Sequence, residues 1–171
     1  MSRTGQWHSE DKGFTLIELM VVMLLITIML GVTIPRLDTS LLQDPRKKTA
    51  RWMINTVSAL RAAATEKQKS QILVVDVDDN RLWVTDAEMD DEAQKGAAEN
   101  GFALPGGMRI MEVQFSGKES VGSGKAMIVF YPGGYSDQAA INIETGDSER
   151  MAFKIEPLLP RVKVVDQWIS Y

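Results

Sequence analysis

The chain contains no cysteine and a single histidine, His8, in 171 residues. Without thiols there is no disulfide framework and no cysteine nucleophile. Beyond His8 no residue can serve as the imidazole of a Ser-His-Asp triad or a Cys-His pair, and the usual zinc ligands are missing. Carboxylate-only catalysis remains open in principle. An excess of positive charge is also lacking. Lys and Arg number 19 against 23 Asp and Glu, a net charge of −4, so no global attraction to nucleic-acid phosphates exists. The length suits one domain with a substantial core and hardly two.

What is present is an apolar run from Phe14 to Ile34 interrupted by one charge, Glu18. As a helix it would be about 31 Å long, against a bilayer hydrocarbon core of about 30 Å. Pro35 follows at once, where it would kink or break the helix. A secretory signal peptide would have a shorter apolar region, of about 7–15 residues, and an A-x-A-like site after it. No such site follows Gly31. Flanking charge points weakly the other way round: Arg3 and Lys12 are offset by Glu10 and Asp11, while Arg36, Arg46, Lys47 and Lys48 lie beyond the run. Glu18 needs a reason to exist, because a carboxylate within an apolar membrane helix is costly. It either snorkels toward headgroups or meets a positive partner.

Lys12-Gly13-Phe14-Thr15-Leu16-Ile17-Glu18, followed by the apolar run, resembles the N-terminus of type IV pilins and type II secretion pseudopilins. The resemblance implies that residues 1–13 are a leader, cut between Gly13 and Phe14 by a prepilin peptidase that also N-methylates Phe14. Residues 14–35 would be the transmembrane and assembly helix, kinked at Pro35. Glu18 would set subunit registry by pairing with the α-amino group of Phe14 on a neighbour, where water is scarce and the attraction is little screened. The implied location is the bacterial inner membrane, single-pass, with the C-terminal head in the periplasm. The implied partners are other pseudopilins, the peptidase, an inner-membrane assembly platform and membrane lipid.

Residues 36–70 read as an amphipathic continuation of the helix. Asp44 is placed to cap and Pro45 to open a helical stretch, and Met53, Val57, Leu60 and Ala64 recur on one face. Arg46, Lys47, Lys48, Arg51 and Arg61 lie mostly off that stripe, as a solvated face or a lipid-headgroup contact. Trp52 beside the stripe is either core or subunit contact. Residues 71–171 change to strand grammar. Gln71–Val77 and Arg81–Val84 flank a hairpin signal at Asp78-Asp79-Asn80. Met108–Phe115, Ala126–Tyr131, Ala139–Ile143, Met151–Ile155 and Val162–Val165 follow, separated by Pro/Gly turns. The expected class is α+β: a long N-terminal helix packed on an antiparallel two-sheet head, pilin-like.

Phe130-Tyr131-Pro132-Gly133-Gly134, then Ala140–Ile143 and Phe153–Pro157, is similar to the Phe-x-Pro-x-Gly turn and following strands of GspH/FimT-type minor pilin-like proteins. The later Thr-Gly-Arg-Val segment of that group is replaced here by Leu159-Pro160-Arg161-Val162.

Other motifs fail on their own terms. Asp76, Asp78 and Asn80 mimic the start of an EF-hand loop, but Arg81 occupies the glycine position and Ala87 that of the bidentate Glu. Gly122-Ser123-Gly124-Lys125 has Glu119 in place of the first glycine, Ala126 in place of Ser/Thr, and a strand after it. Thr85-Asp86-Ala87-Glu88 fits a capping box opening a helix through Lys95. The acids Asp86 to Glu92 there are either a solvated surface or a site for a metal or basic partner. Trp168 to Tyr171 would finish the last strand or dock a partner.

The sequence therefore reads as a minor pseudopilin of a type II secretion system, a structural subunit with no catalytic residues, no cofactor or metal, and no nucleic-acid partner. The alternatives are a FimT-like minor pilin of a type IV pilus, with DNA uptake in view, and an unrelated membrane-anchored periplasmic enzyme or binding module.

Overall fold

The computed structural model describes residues 15–33 and 44–171. The chain divides into two compact units, Met1–Leu42 and Gln43–Tyr171. In the first, Leu16–Thr33 forms α1. Thr15 closes its start, its Oγ1 accepting from the Glu18 N–H at 3.3 Å. Within the apolar helix the Thr27 hydroxyl donates to the Met23 carbonyl at 2.8 Å, which satisfies its one polar side-chain group without water. Among the described residues no helix is both long and apolar enough to cross a membrane. At 18 residues, α1 measures about 27 Å at ~1.5 Å per residue.

The second unit opens with α2, Pro45–Lys67. Asp44 caps it, its carboxylate accepting from the Arg46 N–H at 3.0 Å, and Pro45 takes the first turn, where a missing N–H costs nothing. The helix ends at Gln68, in the left-handed conformation, whose N–H returns to the Ala64 carbonyl. Its buried face is Thr49, Met53, Val57, Leu60, Arg61 and Ala64. Four of these are the apolar positions whose spacing defined the stripe.

Eight strands follow as two antiparallel sheets. β1 (Gln71–Asp76), β2 (Arg81–Asp86), β3 (Phe102–Ala103) and β5 (Lys125–Phe130) form the first, in the order β3-β2-β1-β5. β4 (Arg109–Phe115), β6 (Ala139–Glu144), β7 (Arg150–Ile155) and β8 (Lys163–Val165) form the second, in the order β4-β6-β7-β8. Inward residues alternate with outward ones: Leu73, Val75, Leu82, Ile128 and Phe130 from the first sheet meet Val113, Ile141, Ile143, Phe153 and Ile155 from the second. α2 adds Met53, Val57, Leu60 and Ala64 to the same cluster. Burying each of the larger side chains is worth about 1.5–3 kcal/mol. Every buried residue of this core lies between Met53 and Val162, so the head carries its whole core.

Two departures from the sequence pattern have identifiable causes. The helix expected from Thr85 through Lys95 starts later: α3 is Asp91–Glu99, capped by Asp90, whose carboxylate accepts from the Ala93 N–H at 2.7 Å. Asp86 instead closes a turn through the Glu88 N–H at 3.0 Å. Two acidic residues competed for one cap, and β2 runs on to Asp86. The short β3 was not legible because its reason is tertiary: Phe102 stacks on Trp52 of α2 with ring centroids 4.5 Å apart. Trp52 thus packs against the core.

Candidate functional site

Glu18 lies in the first turn of α1, and the side chains from Leu16 to Met29 around it are exposed. Such exposed apolar side chains suit contact with lipid or with other helices. Gly13, Phe14 and Pro35 lie outside the described residues.

On the head, a buried cation organises two turns. Arg61 is 9% exposed. Its guanidinium donates to the carbonyls of Gly134 (3.2 Å), Pro157 (2.9 Å) and Glu156 (2.6 Å), and to the Ser136 hydroxyl (3.0 Å). It also lies 5.6 Å from the centroid of the Phe130 ring. Burial pulls its pKa below the usual guanidinium value. The Ser136 N–H donates to the Pro157 carbonyl at 3.2 Å, joining the two turns directly. The Phe-x-Pro-x-Gly motif is thereby explained. Phe130 is the buried platform, and Gly134 takes φ +81°, which L side chains resist. The sequence pattern places Arg61 with the basic group mostly off the apolar stripe, as a solvated face or a headgroup contact, and the structure buries it instead. The available signal was its spacing: four after Val57 and three before Ala64 places it on the buried side.

The two clasped turns carry exposed apolar groups. Leu158 is 82% exposed, and Leu159 and Tyr135 are partly so. Tyr135 stacks on Tyr131 at 4.7 Å. Beside them Glu156 accepts from Lys154 at 3.0 Å and Lys163 at 3.3 Å. Those two hydrogen bonds hold its carboxyl below the ordinary range.

A second feature lies on the outer face of the first sheet. Between α3 and β5 runs an open groove of about 510 Å³, floored by Ile72, Val74, Trp83 and Met127 and edged by Asp86 and Asp91 together with Lys95 and Lys125. Glu88, from the same acidic stretch, pairs with Lys69.

The EF-hand-like residues turn in different directions. Asp76 accepts from the Asp79 N–H (3.1 Å), Asp78 from the Gly124 N–H (2.9 Å) and Asn80 from the Ile110 N–H (2.7 Å). They tie a hairpin tip to its surroundings. Gly122–Lys125 leads into strand β5. The basic residues at the start of α2 are partly engaged: Arg46 pairs with Glu149 and with Asp166 (2.6 Å), and Lys47 with Asp44 (3.5 Å). The C-terminal segment docks on the second sheet, where the Trp168 indole N–H donates to the Ile143 carbonyl at 3.2 Å.

The comparisons with known proteins bear on the N-terminal motif and on the fold of the head separately. Residues 9–34 match the family described as the prokaryotic N-terminal methylation motif. The minor pseudopilin EpsH of the Vibrio cholerae type II secretion system shares the head's fold. One structure of it covers 76% of this chain and 99% of that one, with a TM-score of 0.52 at 13% identity. Another covers 72% and 98%, with a TM-score of 0.48 at 14% identity. A ComG operon protein 3 homolog of Bacillus licheniformis is 51% identical over 49 residues, 29% of this chain and 50% of that protein. The chain thus spans about half the length of the curated relative it matches.

Proposed function

We propose that this protein is a minor pseudopilin, a structural subunit of the periplasmic pseudopilus of a type II secretion system, and not an enzyme. The observation that carries the reading is the joint presence, in one chain, of the methylation motif over residues 9–34 and a pilin-like head. On this reading the peptidase cuts between Gly13 and Phe14 and methylates Phe14. The apolar helix anchors the subunit in the inner membrane with the head in the periplasm, and Pro35 bends it. Glu18 pairs with the amino terminus of a neighbouring pseudopilin, and the assembly platform extracts the subunit into the filament.

The test is deletion of the gene, with complementation by wild type and by Glu18→Leu. Loss of protein export without loss of surface pili, restored by wild type, is expected. Glu18→Leu should be processed normally but crosslink poorly to other pseudopilins in cells, because the neighbour's buried amine loses its partner. Normal export in the deletion strain would overturn the reading. A FimT-like minor pilin of a type IV pilus is the second reading, favoured by the shared methylation motif, which is not particular to secretion. Loss of pili with intact export would select it.

A further inference from the structure

We propose that Asn100 is a site of spontaneous deamidation gated by α3. When the last turn of the helix opens, the Asn100 side chain cyclises onto the Gly101 backbone and is converted to aspartate or isoaspartate, and the product then keeps the helix from closing.

The reactive pair stands out among its kind. The chain has four asparagines, at 55, 80, 100 and 142, followed by Thr56, Arg81, Gly101 and Ile143. Only Gly101 offers a backbone nitrogen with no neighbouring side chain to hinder its approach. Asn100 is exposed. The deprotonated Gly101 nitrogen attacks Cγ of Asn100, the N–Cγ bond forms, the Cγ–Nδ2 bond breaks and ammonia leaves. Water then opens the cyclic imide. Opening at Cγ gives aspartate, and opening at the main-chain carbonyl carbon gives isoaspartate, with the chain rerouted through Cγ. Water is the sole co-reactant.

The folded helix end holds every participant back. Asn100 caps α3 at φ −88° and ψ 8°, which turns the Gly101 nitrogen away from the side chain it must reach. That nitrogen is engaged, its N–H donating to the Ala98 carbonyl at 3.1 Å. The leaving group is engaged too, Nδ2 donating to the Gly96 carbonyl at 2.9 Å. Conversion therefore waits for the helix end to open. Opening meets little resistance: no residue of α3 is buried, and Gly96 stands in its interior.

The product does not fit the closed state. A carboxylate oxygen replaces the Nδ2 donor and faces the Gly96 carbonyl, acceptor against acceptor, and its charge opposes the helix dipole. Arg81 donates to the Ala98 and Glu99 carbonyls at 3.1 and 2.8 Å, and the new carboxylate competes with them for it. Isoaspartate also adds a backbone atom where there is no slack. A Cβ on Gly101 would already meet the Ala98 and Leu82 carbonyl oxygens and the Arg81 Cγ at 3.0 Å. Asp91, Gln94, Lys95 and Ala98 of α3 form one wall of the groove over Trp83 and Met127, so loosening the helix opens that groove.

The test keeps the full chain, in detergent and mildly alkaline buffer, beside a synthetic peptide of residues 96–104. Peptide mass and chromatography follow the replacement of amide by carboxyl. Asn100 should convert ahead of Asn55, Asn80 and Asn142, yet more slowly than in the peptide. Gly96→Ala places a Cβ in open space. It should slow conversion in the chain about fivefold, the factor by which the better helix former makes the open end rarer, and leave the peptide's rate unchanged. In the converted protein, amide exchange across residues 91–99 should quicken while β1 stays protected. Asn100 intact after the peptide has fully converted overturns the site. A chain that converts as fast as the peptide, or a Gly96→Ala chain that converts at the wild-type rate, overturns the gate. Unchanged exchange across residues 91–99 after conversion overturns the loosening of α3.

Discussion

Asn142 pairs with the backbone of Ile169 through both ends of its amide. Its Nδ2 donates to the Ile169 carbonyl at 2.9 Å and its Oδ1 accepts from the Ile169 N–H at 3.0 Å. Nδ2 also reaches Glu112 at 3.0 Å. Asn142 is 1% exposed, so these bonds carry the full weight of satisfying a buried polar group. The side chain acts as a one-residue strand partner that pins the C-terminal segment to β6.

Asn142→Ala should therefore cost about 1–3 kcal/mol, the price of leaving buried polar groups without partners. Amide exchange at Ile169 should quicken while the β1 amides stay protected. Urea unfolding and hydrogen exchange measure both, and unchanged exchange at Ile169 would show that the tail is held by Trp168 alone.

Arg61 ties α2 to the two turns that present Leu158 and Tyr135. Arg61→Ala strips a charged donor from three carbonyls and a hydroxyl, and about 3 kcal/mol or more of destabilisation is expected. Arg61→Lys should recover only part of that, since an ammonium cannot match the planar fork in several directions at once. A denaturation midpoint for Arg61→Ala close to wild type would mean the clasp contributes little.

How much of this was written in the sequence differs from element to element. The α2 stripe at Met53, Val57, Leu60 and Ala64 and the Asp44-Pro45 cap are local signals, and local physics fixed them. Seven strands were bounded by turn residues that a reader of the sequence can see. Features that depend on a distant partner were hidden. β3 exists because Phe102 finds Trp52, and Asn142 looks like an ordinary strand polar residue until Ile169 arrives. Arg61, grouped with the basic residues mostly off the stripe, is buried because its spacing from Val57 and Ala64 sets it on the inner face. Leu158 and the groove beside α3 were invisible, because neither belongs to a recognised motif.

Gly106 offers a sharper test of backbone packing. It holds φ +65°, and a Cβ there would lie 2.5 Å from the Cγ of Pro45. Gly124, at φ +72°, has open space around it. Gly124→Ala should cost only the left-handed penalty of about 1–2 kcal/mol, while Gly106→Ala should cost more and loosen the start of α2. Comparing the two by urea unfolding isolates the Pro45 contact. Equal losses would show that the loop yields freely.

Glu156 makes a prediction about pH. Hydrogen bonds from Lys154 and then Lys163 depress its folded pKa, so the ionised form is favoured by folding. Its contribution is complete above the ordinary glutamate value of about 4.3 and is lost as pH falls through the lower folded value. The gap in stability between wild type and Glu156→Gln should be constant at neutral pH and shrink on acidification below that range. A carboxyl titration by NMR should place the Glu156 midpoint under that of an exposed glutamate. A midpoint at or above it would remove the premise.

The last prediction separates secretion from DNA uptake. Tight binding to duplex DNA needs several free cations on one face, and its affinity falls steeply with salt. Several of the head's basic residues are committed elsewhere. Arg46 is shared between Glu149 and Asp166, Lys154 and Lys163 close on Glu156, and Arg61 is buried beneath two turns. Arg161 stands beside the exposed Leu158 and Leu159, and the carboxylates of residues 86–92 would repel phosphate. The head should bind duplex DNA only at weak, non-specific background in fluorescence-anisotropy titrations at two salt concentrations. Tight binding at near-physiological salt, weakened by Arg161→Ala with Lys163→Ala, would shift the balance to the FimT-like reading.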